Sequence, residues 1–325
     1  MDESVFQSRV DFTKLSAQVN KIKEEIGKVI VGQEEMIDLL VTALLADGHV
    51  LIEGVPGVAK TLTAKLFSRI ISVDFSRIQF TPDLMPSDVV GTSVFNMKNS
   101  DFEFHPGPIF YIIVLIDEIN RAPAKTQAAL FEVMEERQVT VDGVTHLMKK
   151  PYMILATQNP IEHEGTYRLP EAQLDRFLFK IVVNYPNLEE EINIISKQHL
   201  REDAIVLEEV NPILSVEDIT SMKTLTRKVH VEEHLIRYIA QIVQETRSNP
   251  MLFLGASPRA SVAILNGAKA FALIQGRDFI SPEDIKKIAL PVLRHRIALS
   301  PEKEMEGISP DVIVQQIIDK IEVPR

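Results

Sequence analysis

A chain of 325 residues, 45% hydrophobic and 25% charged, has the composition of an ordinary globular protein and exceeds what one hydrophobic core usually organises, so a large domain with a smaller companion is expected. Its net charge of −11 divides into −7 over residues 1–186 (18 basic, 25 acidic) and −4 over 187–325 (17 basic, 21 acidic), which disfavours nucleic acid as a partner. The absence of cysteine excludes disulfides, thiolate catalysis and cysteine-ligated metal centres.

The first fourteen residues are mixed polar and lack the basic start and apolar run of a signal peptide, and no later apolar run approaches the ~20 residues of a membrane span; a soluble, cytoplasmic protein is expected. Helical periods cover residues 12–29 and 33–46, joined at Ile30-Val31-Gly32. Short apolar runs then recur at 50–52, 75–80, 109–116, 152–156 and 177–183, with helical patterns between them. Near-continuous apolar strands alternating with helices predict an α/β domain built on a parallel sheet covered on both faces.

Directly after the first strand comes Gly54-Val55-Pro56-Gly57-Val58-Ala59-Lys60-Thr61, a loop whose backbone NH groups can cradle a polyphosphate. Lys60 would reach the outer phosphates and Thr61 would ligate Mg²⁺. A helix over 61–69, beginning Thr61-Leu62, would turn its positive end to the anion. Alanine replaces the usual second glycine at position 59, which is free of strain only if that residue keeps negative φ.

The run ending at Ile116 is followed by Asp117-Glu118. At the tip of a buried strand beside the phosphate loop, Asp117 could hold the metal and Glu118 could activate water; alone, such a pair is equally a solvated strand end. Residues 138–147 alternate around Asp142-Gly143, a strong hairpin signal. Asn159, in Thr157-Gln158-Asn159-Pro160, could contact the γ-phosphate or attacking water, or simply form a turn. Arg176 and Arg259 are the candidate phosphate-directed arginines, each of which could instead pair with an acid. Arg259 falls in a first helical turn, where the dipole disfavours a cation.

Asn184-Tyr185-Pro186-Asn187 punctuates the chain, and the strand-like runs stop there. Helical periods at 188–200, 216–228, 232–247, 259–275, 282–297 and 310–321 predict a helical domain, with starts signalled by Ser257-Pro258, Ser281-Pro282 and Ser309-Pro310. His230-Val231-Glu232-Glu233-His234 fits a zinc-peptidase pattern, but it is short and opens a helix of that domain, so a metal site there is rejected.

Taken in order, these motifs resemble the AAA+ ATPases, and within them the MoxR group, over residues 20–300. Residues 54–61 resemble its Walker A loop, Asp117 to Gln127 its extended Walker B signature, and Glu164 to Phe177 its later signature. The resemblance implies a P-loop NTPase core (residues 1–186) with a C-terminal all-α lid (187–325) that binds ATP and Mg²⁺. It makes Asn159 sensor 1, Arg176 an arginine finger reaching a neighbour, and Arg259 sensor 2. It also brings Val31 and Gly32 near adenine, with catalysis by Lys60, Glu118, Asn159, Arg176 and Arg259, and metal held by Thr61 and Asp117. Arg259 is expected to sense the γ-phosphate within its own chain. Residues 82–108 match the helix-2 insertion and 138–147 the hairpin before sensor 1, each either a pore or partner contact or a hairpin packed on its own domain. A hexameric ring is implied, acting on a client or adaptor protein, often one with a von Willebrand factor A domain, and often in metal-centre insertion. Two rivals stand beside it, a nucleotide-gated switch with little turnover and a DNA-directed motor.

Overall fold

The computed structural model describes residues 3–160, 167, 169–200 and 206–324, with side chains described over 15–160, 167, 169–199 and 207–324. Of the later signature, Glu164, Gly165, Thr166 and Arg168 lie outside the described residues.

The first part comprises α1 (Glu3–Val29), α2 (Glu34–Leu45), β1 (Val50–Gly54), α3 (Lys60–Ile70), β2 (Phe75–Gln79), α4 (Pro86–Val90), β3 (Gly91–Asn96), β4 (Asp101–Pro106), β5 (Ile113–Asp117), α5 (Ala124–Glu136), β6 (Gln138–Val141), β7 (Val144–Leu147), β8 (Met153–Gln158), α6 (Glu171–Leu174) and β9 (Phe179–Val183). The second comprises α7 (Leu188–Leu200), α8 (Val216–Lys228), α9 (Glu233–Ser248), β10 (Leu252–Leu254), α10 (Pro258–Ile274), α11 (Pro282–Leu293), β11 (Ala298–Leu299), α12 (Pro301–Met305) and α13 (Pro310–Lys320).

Five strands form an all-parallel sheet in the order β2-β5-β8-β1-β9. Side chains alternate between its faces, so each apolar strand feeds two cores. Val50, Ile52, Ile113, Leu115, Met153 and Leu155 face one; Leu51, Val114, Ile116, Ile154 and Ala156 face the other. The first core continues without a break from α1 and α2 through Phe179 and Ile181 into α10 and α11. The helical lid thus packs on the N-terminal helices and the β9 side of the sheet. Serine followed by proline stands at the starts of α10, α11 and α13 as expected, and Ser281 begins α11 with a reciprocal box to Asp284.

Four elements differ from the sequence expectations, the first being α1, which begins at Glu3 rather than at residue 12. The run 109–116 splits into a 3₁₀ turn (Pro108–Phe110) and β5, because residue 108 is proline and Ser76 Oγ bonds its carbonyl. The helix expected to reach 297 ends at Leu293, where Arg294 to Arg296 turn back to bond the sheet. Strand structure also does not stop at 187: β10 pairs antiparallel with β11 inside the lid. Two or three residues are too few to show a period of two.

Candidate active site

Parallel strands bring their C-terminal ends to one edge, and the phosphate loop leaves β1 there. Gly57 has φ of 90° with nothing within 4 Å of where a Cβ would stand, leaving room for an anion to approach the backbone. Ala59 caps α3 at φ 57°, contrary to the negative φ expected of an alanine. Left-handed backbone costs a non-glycine residue about 1–2 kcal/mol, and here it falls at the N-cap of α3, where the free NH groups of the first turn and the helix's positive pole favour an anion. Lys60 donates to the Gly54 and Gln158 carbonyls. Burial pulls its ammonium below the usual lysine range, opposed by Asp117, Glu118 and Glu53.

Asp117 ends β5, next in the sheet to β8, and Thr61 Oγ1 stands 3.3 and 3.4 Å from its carboxylate oxygens. This all-oxygen convergence of hydroxyl and carboxylate beside a phosphate cradle fits Mg²⁺, which prefers hard oxygen donors and keeps part of its water shell. Thr157 positions both acids at once: its hydroxyl donates to Asp117 Oδ1 at 3.1 Å and accepts the Glu118 NH at 3.0 Å. Glu118 is itself left-handed, φ 56°. Gln79 Nε2 and Arg121 Nη1 meet its Oε2 at 3.1 and 3.0 Å. Asn159 follows β8 at the same edge, half-buried.

Beside the loop lies a cavity of about 1070 Å³ lined from both parts of the chain. Val31, Gly32, Gly57, Val58, Ala59 and Leu62 all line it, and lid residues Arg294 and Asp311 face them. Gln33 ties the 31–33 segment to the loop by donating to Val58 O at 2.8 Å.

The two arginines are elsewhere. Arg176 precedes β9, so it stands at the opposite, N-terminal edge of the sheet, donating to Phe131 O at 2.5 Å and meeting Glu135 Oε2 at 3.5 Å. Arg259 joins it: Nη2 bonds Glu135 Oε1 at 2.9 Å, and Nη1 is 4.0 Å from Asp175 Oδ2. One strand length, roughly 13–16 Å, separates this cluster from the phosphate loop. Arg259 therefore does not face its own chain's phosphate site as expected, because the start of α10 stands at the far edge of the sheet, while the lid elements α11 and α13 line the cavity by the loop. Asp175 is held by Arg296, whose buried guanidinium bonds Asp175 Oδ1 at 2.7 Å and the carbonyls of Asp175, Phe177, Leu178 and Val292.

Sequence reasoning missed Arg77, Gln79, Arg121, Thr157 and Glu135. Arg77 Nε meets Asp117 Oδ2 at 2.6 Å. Arg77 and Gln79 alternate with the buried Ser76 and Ile78, a polar face on β2 that could have drawn attention; Glu135 carries no such signal.

Residues 49–179 match the family model for ATPases associated with various cellular activities (AAA), and 244–317 match the AAA lid domain. The chain is 47% identical to the uncharacterised protein YeaC of Bacillus subtilis, covering 94% of this chain and 95% of that protein. It is 42% identical to chaperone MoxR1 of Mycobacterium tuberculosis, covering 96% and 84% respectively. A crystal structure of a candidate ATPase from Cytophaga hutchinsonii superposes with a TM-score of 0.91 at 39% identity, over all of both chains.

Proposed function

The chain belongs to the MoxR family of AAA+ ATPases and hydrolyses ATP; from that premise we propose that it works as a ring, most simply a hexamer, in which each nucleotide is cleaved between two subunits to remodel a partner protein. The carrying observation is the separation of Lys60, Thr61, Asp117, Glu118 and Asn159 at one sheet edge from Arg176 and Arg259 at the other. Residues 1–186 would bind the nucleotide and 187–325 form the lid. Val31, Gly32 and Leu62 would bound the base, and the loop 54–61 the phosphates. Mg²⁺, held by Thr61 and Asp117, would supply charge neutralisation at the β- and γ-phosphates. Lys60 binds those phosphates from the protein side, Glu118 takes the proton of the attacking water, Asn159 orients that water, and the neighbour's two arginines stabilise the charge on the leaving phosphates.

Two exposed apolar faces support a head-to-tail seam. Leu188, Ile192 and Ile195 share one face of α7 beside Tyr185, next to an acidic first turn, Glu189 to Glu191. Phe253 and Leu254 of β10 and Val262 of α10, one turn after Arg259, are likewise exposed. The name of the Mycobacterium relative supports a chaperone role; an adaptor with a von Willebrand factor A domain and a client receiving a metal centre are the partners that the resemblance read from the motifs implies. No helix among the described residues is long and apolar enough to cross a membrane.

Mixing Arg176→Ala with Glu118→Gln protein tests the reading. Each alone should turn over poorly, and mixed rings should regain activity because some interfaces carry both intact halves. Mixtures that assemble and stay inactive would count against it. Glu118→Gln, holding ATP uncleaved, should also retain the client in pulldowns.

A further inference from the structure

We propose that Glu135 is a positioning residue that binds Arg176 and Arg259 into one unit, so that both reach the neighbouring subunit's phosphates together; the inference rests on the neighbour-directed reading of those arginines. Glu135 offers one carboxylate oxygen to each guanidinium, at 3.5 and 2.9 Å. Among the described residues it makes no other ion pair. The second nearby acid, Asp175, is committed to Arg296 and Ser257, at 2.7 and 3.1 Å, and lies 4.0 Å from Arg259.

Two local violations make sense only together. Glu135 sits in the last turn of α5 and Arg259 in the first turn of α10, each at the pole of its own helix that repels its charge. Bridging cancels both penalties and offsets the repulsion between two adjacent cations. Arg176 is further fixed by the Phe131 carbonyl, one α5 turn before Glu135. A single helix therefore holds one arginine directly and the other, which belongs to the lid, through Glu135. Arg259 is 56% exposed at its side chain, so without the bridge the one charged partner left to orient it among the described residues is Asp175 at 4.0 Å.

The test uses Glu135→Ala and the near-isosteric Glu135→Gln in the full-length protein, under conditions where it assembles. Arginines misplaced by an ångström cost about ten- to a hundredfold in rate. Both variants should therefore lose at least about tenfold in kcat, with KM for ATP, nucleotide affinity and assembly size unchanged. Combining Glu135→Ala with Arg259→Ala should slow turnover by less than the product of the two single losses, because both act through Arg259. A merely structural salt bridge would lower the melting temperature and leave kcat in place. Wild-type or raised kcat in both Glu135 variants, or losses that multiply with Arg259→Ala, overturns the coupling. Arg176→Ala serves as the control: if it is slow while the Glu135 variants are fast, the coupling alone fails. If assembled Arg176→Ala runs at the wild-type rate, the neighbour-directed reading fails and takes the coupling with it.

Discussion

His49 is invisible to motif reading yet pins three elements: Nε2 lies 3.2 Å from Met134 O at the end of α5, and Nδ1 accepts the Ile154 NH of β8 at 3.0 Å, just ahead of β1. A neutral imidazole satisfies both contacts, with Nε2 donating and Nδ1 accepting. Burial, aided by Arg137, pulls its pKa down to about 3. The unfolded state, titrating near 6.5, therefore binds more protons below that pH. Stability contributed by His49 is present above about pH 6.5 and is lost as pH falls toward 3, up to roughly 5 kcal/mol. Thermal melts should drop between pH 6.5 and 4.5, above the range where carboxylates dominate, and less so in His49→Gln; equal slopes in the two proteins would remove the assignment. At Ala59 the left-handed φ makes a second prediction. Ala59→Gly should stabilise the protein by about 1 kcal/mol, seen as a higher denaturation midpoint with unchanged slope, whereas replacement by valine should destabilise it.

Among the elements, the two hairpins show how far local signals reach. Asp142 and Gly143 both adopt positive φ, 50° and 79°, so the two-residue turn read from sequence forms between β6 and β7. The insertion at 82–108 likewise contains a hairpin, β3–β4, with register from Gly91↔Pro106 to Asn96↔Asp101. Its tip exposes Phe95, Met97 and Phe102, whereas its base is neither loose nor free. Phe104 stacks on His146 of β7 at 4.2 Å, so the hairpins touch, which no spacing within either one announces. At the base, a Cβ on Gly91 (φ 98°) would come 2.3 Å from the His105 carbonyl oxygen. Gly91→Ala should therefore splay the hairpin: amide exchange across 91–107 should accelerate at least tenfold while ATP affinity stays within about twofold of wild type. Unchanged exchange would mean the base is not the hinge of the insertion.

For the whole molecule, the decisive feature is where the lid packs. Arg296 uses all its donors on Asp175 and on the carbonyls around 175–178 and Val292, clamping the end of α11 to the sheet edge where the arginines gather. Arg296→Met leaves the half-buried Asp175 without its main partner and the carbonyls of Phe177, Leu178 and Val292 without its donors, and should cost about 3–5 kcal/mol of unfolding free energy by denaturant titration. On the far side of the molecule, the unpartnered face of α7 yields the assembly prediction. Ile192→Glu with Ile195→Glu should shift the protein to monomers by light scattering and reduce turnover at least tenfold, with nucleotide binding retained. Rings of normal size in that variant would place the seam elsewhere.

The phosphate loop, the acids at the strand tip and the apolar runs that become strands were legible from sequence because each depends on neighbours a few residues away: a short apolar run, a turn, a glycine with room beside it. The edge on which each arginine stands was not legible. It follows from α10 and α11 packing against α1, α2 and β9, contacts spanning more than a hundred residues that leave no periodic trace. Only the folded chain therefore decided that Arg259 stands with Arg176 and Glu135, a strand's length from Lys60.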